Sequence, residues 1–193
     1  MSSPTMSHWL AAKRILRYLK GTTGFWIFYR KEERNLKLVA FTDSDYAGDL
    51  DDRRSTSGYV IMMGSRVVSW SSKKQSVVAL STTEAEYIAA SLCACHCVWL
   101  RRVVEKLGIK ENSSTVIICD NSLTIQLSKT LVFHEKSKHI DVRFHFLRDL
   151  VNEGVVELSH CSSQNQIVDI MTKPIKLEQF EKLRGMLGVT KVS

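Results

Sequence analysis

The sequence predicts an α/β fold, a mixed five-stranded sheet flanked by helices with a helix–strand appendage at the N-terminus. Three strand-like segments follow one another between residues 36 and 72, whereas later strand-like segments alternate with helical ones. Adjacent strands favour an antiparallel meander, and strands separated by helices favour parallel pairing. The length of 193 residues and the hydrophobic content of 44% suit one core with an appendage.

The appendage comes first in the chain. Apolar residues recur at helical spacing through MSHWLAAKRILRYLK, with Ile15, Leu16 and Leu19 on one face, and Gly21 ends this helix. A strand-like GFWIFYR follows, and the polar KEERN after it is typical of a linker.

The sheet begins with three predicted strands. LKLVAFTD is the first, and SGYVIMMG and RVVSWSS form a hairpin that turns at Gly64 and Ser65. A long helix is predicted over 82–107, and Gly108 ends it.

Helices and strands alternate after this point. TVIICD predicts a short buried strand, and a helix begins at Asn121. HIDVRFHFLRDLVNEG has the pattern of an amphipathic helix ending at Gly154. VVELSH predicts another strand, and QIVDIMTK begins the last helices.

Composition limits the classes of function. Lys and Arg number 27 against 20 Asp and Glu, and the net charge of +7 favours a polyanionic partner. Five cysteines without a paired framework indicate reduced thiols. No apolar run approaches transmembrane length and the first residues lack a signal-peptide core, so we expect no membrane association and a cytoplasmic or nuclear location.

Four acidic residues lie at the ends of predicted elements. Asp43 ends the first sheet strand, Asp120 ends the fourth, Glu86 lies in the first turns of the long helix, and Asp169 opens a late helix. Taken singly, each is more often structural than catalytic. If they converge, the cluster needs cations, and oxygen ligands of this kind suit Mg²⁺. Two such ions about 3.5–4 Å apart are the arrangement used for phosphodiester cleavage.

Several long motifs carry a family resemblance. AFTDSDYAGD, SWSSKKQSVVALSTTEAEYIAAS, VIICDNSLTI, FHEKSKHIDVRFHF and QIVDIMTKP closely resemble the ribonuclease H region of copia-type retrotransposon Pol polyproteins. The resemblance covers residues 6–189, and HWLAAKRILRYLKGT resembles the segment that joins reverse transcriptase to ribonuclease H. It implies a remnant of that connection over 1–35, a ribonuclease H-like domain over 36–174, and a C-terminal helix and tail over 175–193.

The resemblance also implies an activity and a site. The activity is endonucleolytic cleavage of RNA in RNA–DNA hybrids with two Mg²⁺ ions, or Mn²⁺, and the partner is a reverse transcriptase domain if the chain is part of a polyprotein. The residues that match the family's catalytic and metal-binding acids are Asp43, Glu86, Asp120 and Asp169.

A local pattern supports Glu86 over Glu84 in this set. Ser81 and Glu84 have the spacing of a capping box, in which Glu84 reaches back to the N-cap residue Ser81. Glu84 then has a structural role and Glu86 is left to face the metals. Asp45 and Asp49 are interpreted as loop carboxylates that at most support the site.

Histidines and cysteines give weaker signals. Cellular and retroviral ribonucleases H carry a histidine in the loop after the last strand, where His160 lies, but copia-type sequences vary at this point, so a catalytic role for His160 stays open. His134, His139 and His145 are expected to pack or to contact phosphates. Cys93, Cys95, His96 and Cys97 suggest zinc, but the sequence offers no evident fourth ligand on the helix face that Cys93, His96 and Cys97 share, which favours a core helix.

Nucleic-acid contacts are expected beside the acids. Ser81, Thr82 and Thr83 lie close to Glu86 in sequence and suit contacts to 2′-hydroxyls, because a hybrid is recognised through shape, phosphates and 2′-hydroxyls. Lys73 and Lys74 suit phosphates, although a solvated basic loop is an equally good interpretation.

A second motif points to another function. Arg14, Ile15, Leu16 and Arg17 form an RxLR match, and Glu32, Glu33 and Arg34 form an EER match. This pair resembles the host-targeting signature of secreted oomycete effectors, which implies secretion, entry into the host cytoplasm or nucleus, and binding of host proteins without catalysis. The arginines also suit the polar side of the first helix, so both interpretations stay open.

Overall fold

The computed structural model describes residues 3–29, 37–109, 113–129 and 138–191. The elements, in chain order, are α1 (Met6–Gly21), β1 (Phe25–Ile27), β2 (Leu38–Ser44), β3 (Thr56–Met63), β4 (Arg66–Lys74), α2 (Thr82–Lys106), β5 (Thr115–Cys119), α3 (Ser122–Lys129), α4 (Lys138–Asn152), β6 (Val156–His160), α5 (Asp169–Thr172), α6 (Leu177–Met186) and β7 (Val189–Lys191). A short 3₁₀ turn at Ser163–Asn165 precedes α5.

The central sheet has five strands in the order β4-β3-β2-β5-β6. Strands β2, β3 and β4 pair antiparallel, whereas β5 pairs parallel with both β2 and β6. The predicted fold class, a mixed five-stranded sheet with helices on both faces, is confirmed.

One face of the sheet packs against α2 and α4. The helices contribute Tyr87, Cys93 and Cys97 of α2 and Leu147 of α4 to the core on this face. All four side chains are essentially inaccessible to solvent. Alanines and cysteines recur along α2 and allow the helix to lie close to β2.

The other face packs against the C-terminal helices. Val60 and Val67 of the hairpin contact a cluster formed with Ile167, Leu183 and Leu187. Leu183 and Leu187 belong to α6 and its end, so residues beyond 174 contribute to the core of the sheet.

The N-terminal appendage differs from expectation in its packing. The helix forms as predicted, but none of the α1 residues, all of them described, is buried, and Leu16 is 64% exposed. The predicted strand shortens to Phe25–Ile27, and it pairs antiparallel with β7, a strand that the sequence analysis missed. Tyr29 donates a hydrogen bond to the Val67 carbonyl at 2.6 Å, which ties this segment to β4.

Helix α2 corrects the expectation that no apolar run approaches transmembrane length. By length and composition it is able to cross a membrane, since its most apolar window has a mean hydropathy of 1.2. Half of that window is buried inside the protein, however, and the helix covers the central strands. Its apolar character is that of a core helix.

Candidate active site

Three carboxylates meet at one edge of the sheet. Asp43 lies near the end of β2, Asp120 directly follows β5, and Glu86 lies in the first turns of α2. One ligand oxygen from each lies within 4.8 Å of the other two, and Asp43 and Glu86 are buried. Among the described residues, this is the one group of three or more Asp, Glu, His or Cys side chains whose ligand atoms lie close enough together to hold a metal ion.

Strand topology explains the meeting of Asp43 and Asp120. β2 and β5 are parallel neighbours, and Phe41 pairs with Ile118 in their register. Each aspartate therefore lies two residues beyond a paired position, at the carboxyl edge of the sheet, where ligands bind in open α/β sheets.

The N-terminus of α2 fixes Glu86. Ser81 is the N-cap and its Oγ accepts the Glu84 N–H at 3.1 Å. Glu84 does have a structural role, but its carboxylate accepts the N–H of Leu80 at 2.9 Å, one residue earlier than predicted. Glu86, half a turn later, faces the cluster instead.

The fourth acid joins through a lysine. Asp169, the first residue of α5, lies outside the three-carboxylate group that meets within 4.8 Å. Lys173 Nζ lies 2.9 Å from Asp169 Oδ1 and 3.5 Å from Asp43 Oδ2. Thr172 Oγ1 donates a hydrogen bond to the same Asp43 Oδ2.

The sequence analysis did not identify Thr172 or Lys173. The available signal was their spacing from Asp169: position i+4 of a helix lies on the same face as position i, so a lysine there can reach the same cluster.

Burial and mutual repulsion shift the acid pKa values. Burial, and then the charges of Asp43 and Asp120, raise the pKa of Glu86 to about 9. Burial also raises the pKa of Asp169, although the Lys173 ammonium opposes the shift. For Lys173, burial lowers the pKa, but the Asp43 and Asp169 carboxylates outweigh it and the net shift is upward.

Within the group of Asp43, Glu86 and Asp120, two carboxylate oxygens lack a hydrogen-bond donor from the described residues. Asp43 Oδ1 and Glu86 Oε2 are buried and accept no hydrogen bond from the described residues. An unpaired buried carboxylate oxygen is costly, because it has lost its water without gaining a donor. Converging, unsatisfied hard oxygen atoms fit a divalent cation such as Mg²⁺.

Neighbouring polar groups support the acids. Ser163 Oγ donates to Asp120 Oδ2 at 2.7 Å. The buried Gln166 donates from Nε2 to the Thr42 carbonyl at 2.9 Å, which ties the segment before α5 to the strand that carries Asp43. The sequence analysis missed both residues, since single Ser and Gln residues after a strand carry no distinctive pattern.

A glycine lets α5 approach the sheet. Gly58 pairs with Asp43 in the β2–β3 register. A Cβ placed on Gly58 lies 2.7 Å from side-chain atoms of both Thr172 and Val168. Only glycine therefore permits the observed position of α5, and with it the contacts of Asp169 and Lys173.

Other predicted site residues lie around the acids. His160 is exposed at the end of β6, where it pairs with Cys119 in the parallel register. Ser81 and Thr82 are exposed at the start of α2, and the Thr83 carbonyl accepts the Thr124 hydroxyl at 3.3 Å.

The loop carboxylates and the two lysines separate. Asp45 Oδ1 accepts the Thr56 N–H at 2.6 Å, which is a loop-stabilising role. Asp49 forms an ion pair with Lys74, and Lys74 Nζ also lies 3.0 Å from Asp52. Lys74 is thus held by acids, whereas Lys73 lines a groove on the other side of β4.

The suggested zinc ligands do not assemble. Cys93 and Cys97 are buried in the core against the sheet, whereas Cys95 is exposed. His96 instead contacts the sheet, with Nε2 2.8 Å from Ser69 Oγ.

Some of the remaining predicted residues lie outside the described part. His134, Glu32, Glu33 and Arg34 lie outside the described residues, and the side chain of His139 is not described. His145 is exposed and contacts Arg148 at 2.9 Å. Arg14, Ile15, Leu16 and Arg17 are all exposed on α1.

Solved structures share the fold. The chain superposes on LC11-RNase H1 in complex with an RNA/DNA hybrid with a TM-score of 0.52 and 16% identity, covering 70% of this chain and 94% of that one. Prototype Foamy Virus Protease-Reverse Transcriptase gives a TM-score of 0.50 and 13% identity, covering 83% of this chain and 22% of that one. At these identities the likeness establishes the ribonuclease H fold.

Sequence relatives decide the family. The chain is 41% identical over 192 residues, its whole length, to the retrovirus-related Pol polyprotein from transposon RE2 of Arabidopsis thaliana. Over its full length the chain is a homologue of copia-type retrotransposon Pol polyproteins, and its fold is that of ribonuclease H. It is also 39% identical, over 98% of its length, to the Pol polyprotein from transposon TNT 1-94 of Nicotiana tabacum.

The alignments cover only part of these relatives. The chain spans about 13% and 14% of the lengths of those two polyproteins. About half of it, 99 residues, is 48% identical to Secreted RxLR effector protein 161 of Plasmopara viticola, covering 69% of that protein. No family model matches the chain.

Proposed function

We propose that this chain is a metal-dependent ribonuclease H that cuts the RNA strand of RNA–DNA hybrids. The observation that carries the proposal is the meeting of Asp43, Glu86 and Asp120 within 4.8 Å at the carboxyl edge of a ribonuclease H sheet. The solved neighbour bound to an RNA/DNA hybrid supports the same substrate class.

The proposed ligands of two Mg²⁺ ions are Asp43, Glu86, Asp120 and Asp169, with Mn²⁺ as an alternative. When bound, such ions supply Lewis-acid activation of a water and stabilisation of the leaving oxygen. The protein's contribution is to hold the carboxylates in place before the substrate arrives.

Particular contacts provide that rigidity. Thr172 and Lys173 fix Asp43, and Ser163 fixes Asp120. The capped start of α2 fixes Glu86 and presents Ser81 and Thr82 to the substrate, where their hydroxyls suit contacts with 2′-hydroxyls.

The context of the fragment is a further part of the proposal. The relatives are polyproteins, so we propose a reverse transcriptase domain as the physiological partner of the domain at 36–174. The segment at 1–35 is then the remnant of their connection, and 175–193 is the C-terminal helix and tail. A cytoplasmic or nuclear location is consistent with this role.

Cleavage of a labelled RNA–DNA hybrid tests the activity. Purified protein should cut the RNA strand with Mg²⁺, and EDTA should stop the reaction. Asp120→Asn should lose nearly all activity because it removes a charged oxygen ligand. Asp51→Asn, which changes an exposed loop acid of the same charge, should keep it.

The controls make the result decisive. Cleavage of single-stranded RNA, double-stranded RNA and hybrid at equal rates would contradict hybrid specificity. Equal cleavage by the wild-type protein and Asp120→Asn would show that the acidic cluster is not the active site. A His160→Ala variant in the same assay determines whether the exposed His160 assists turnover.

The match to Secreted RxLR effector protein 161 supports a second candidate function. In this alternative the chain is a transposon-derived secreted effector that binds host proteins without catalysis. The exposed Arg14 and Arg17 of α1 are accessible to a receptor, as a targeting motif requires.

A plant cell-death suppression assay distinguishes the two functions. The effector function predicts suppression by the wild-type protein that persists in Asp43→Asn, and delivery from the pathogen that fails in the Arg14→Ala, Arg17→Ala double variant. The enzyme function predicts no suppression and hybrid cleavage that survives the arginine changes, since both residues are exposed on α1.

A further inference from the structure

A groove runs between α2 and the outer hairpin of the sheet, separate from the carboxylate cluster. Its volume is about 390 Å³, and it is lined by side chains that include Ser57 and Tyr59 of β3, Ser71 and Lys73 of β4, and His96 and Trp99 of α2. A volume of this size lies in the range of roughly 300–1,000 Å³ that is typical of ligand sites. We call it the aromatic groove.

Three rings form an ordered row in the aromatic groove. The Tyr59 and His96 ring centroids lie 5.2 Å apart with their planes at 32°, and those of His96 and Trp99 lie 5.0 Å apart at 35°. The bond to Ser69 holds the imidazole in this row. Trp99, at the outer end, is 55% exposed, so its planar ring faces solvent. Its contact with His96 restrains the ring.

The other wall is polar and basic. Ser57 pairs with Lys73 across β3 and β4, and Tyr59 pairs with Ser71. The hydroxyls and the Lys73 ammonium are therefore arranged along the groove beside the ring row. Lys73 and Lys74 are both exposed, but Lys74 is held by Asp49 and Asp52.

The Ser57 end of the groove lies near the carboxylates along the sheet. Ser57 pairs with Ser44, which follows Asp43, while Gly58 pairs with Asp43 itself. Adjacent strands lie about 4.8 Å apart and successive residues about 3.3 Å apart, so the Ser57 and Lys73 end of the groove is within roughly 10 Å of the acids along the sheet.

We propose that the aromatic groove binds an unpaired nucleotide stretch adjacent to the hybrid, with a base stacked on Trp99 and a phosphate at Lys73. This rests on the proposed function. Exposed aromatic rings beside a basic residue are the elements by which proteins bind single strands without sequence preference. The net charge of +7 favours a polyanionic occupant over a basic or apolar peptide.

Binding of a single strand in EDTA tests the groove without any cleavage. The probe is a fluorescein-labelled oligomer of eight deoxythymidines, followed by anisotropy and by quenching of tryptophan fluorescence. Trp99→Ala should weaken binding about tenfold, the size expected when one stacked base loses its ring. Trp99→Phe should restore most of the affinity, because the ring is what binds.

Trp70→Ala is the matched control. Trp70 is 56% exposed, nearly the same as Trp99, but it alternates to the opposite face of β4 from Ser71 and Lys73. It should bind the oligomer as the wild-type protein does. Lys73→Gln should reduce the dependence of affinity on salt by about one phosphate contact.

The outcomes separate this proposal from the proposed function. Loss of affinity in Trp99→Ala but not in Trp70→Ala supports the groove, even if the protein fails to cut hybrids. Equal affinity in the wild-type protein and Trp99→Ala, each with an unchanged melting temperature, overturns it even if hybrids are cut. No binding of the oligomer, or equal losses in both tryptophan variants, also overturns it.

Discussion

At the residue scale, the candidate site gathers more negative charge than its burial tolerates. Glu86 is 7% exposed and faces Asp43 and Asp120, and its pKa rises to about 9 for that reason. Lys173 offsets part of the charge from the other side, with its Nζ between Asp169 and Asp43. Without a divalent cation, the protein relies on a bound proton and an ammonium group to hold these acids together.

The raised pKa of Glu86 predicts a fall in stability with rising pH. Between the usual value of 4.5 and about 9, the folded protein keeps the Glu86 proton and the unfolded chain releases it. The stabilisation from this proton is complete below about pH 4.5 and is lost as the pH rises toward 9. In EDTA, we expect the free energy of unfolding to fall over this range by several kcal/mol, since each unit of pKa difference contributes about 1.4 kcal/mol.

Urea denaturation of Glu86→Gln measures the effect. The amide cannot ionise, so the variant should be more stable than the wild-type protein at pH 8, and the difference should shrink toward pH 5. Glu157→Gln, an exposed glutamate on β6, should follow the wild-type curve. Parallel curves for wild type and Glu86→Gln would show that Glu86 ionises normally.

Lys173 is predicted to substitute for part of the cation charge. Lys173→Met should lower the melting temperature in EDTA, because Asp43 and Asp169 lose their shared partner. Added Mg²⁺ should then raise the melting temperature more than in the wild-type protein, since no ammonium competes for the carboxylates. Thermal scans with and without Mg²⁺ measure both shifts, and Lys176→Met is the exposed control. An equal Mg²⁺-induced rise in both proteins would contradict this role.

At the scale of elements, the site depends on how closely α5 approaches the hairpin. This helix spans only Asp169–Thr172, too short to be stable alone, so its position comes from contacts with the sheet. Gly58 provides the space, and Gln166 ties the preceding segment to β2. Asp169 and Lys173 reach the other acids only because this packing holds.

Gly58→Val should therefore affect both stability and activity. The added side chain meets Thr172 and Val168 and must push α5 outward, which costs about 1–3 kcal/mol. Hybrid cleavage should fall much further than the fraction of unfolded protein explains, since Asp169 moves with the helix. Denaturation and cleavage assays on the same samples measure the two effects.

Gly185→Ala is the comparison for this change. An added Cβ on Gly185 in α6 meets nothing within 4 Å, and alanine favours helix, so stability should stay equal or rise by up to about 1 kcal/mol. If Gly58→Val retains full activity, the close approach of α5 is not needed for the site.

At the scale of the whole molecule, the two ends of the chain have unequal roles. Helix α1 buries none of its residues, whereas α6 places Leu183, fully buried, against the hairpin. The β1–β7 ladder joins the N-terminal and C-terminal segments, and Arg184 lies 4.1 Å from the centre of the Phe25 ring across this junction.

Truncations should reflect this inequality. Removing residues 1–21 should change the melting temperature by no more than a few degrees, because no buried contact is lost. Ending the chain at 174 should lower it sharply or prevent folding, since burying a leucine contributes about 1.5–3 kcal/mol and Leu183 and Leu187 are both lost. Similar stability for the chain ending at 174 and the full chain would contradict this dependence on Leu183 and Leu187.

Local patterns in the sequence determined the elements and the fold class. Alternating and helical periodicities placed the strands and most helices, and the order of strands and helices implied the mixed sheet. The positions of Asp43, Glu86, Asp120 and Asp169 at element ends made them candidates, and the motif resemblance supplied their proposed roles. Ser81 as the cap of α2 also followed from local spacing.

Only the tertiary structure decided the features that join distant segments. Lys173 between two acids, Gly58 beneath α5 and the β1–β7 pairing each depend on contacts across the sheet or between the chain ends. The ring row of the aromatic groove likewise joins β3 to α2. A sequence pattern reports the preference of a residue for its own element, whereas these contacts depend on how separate elements pack, so no local pattern specified them.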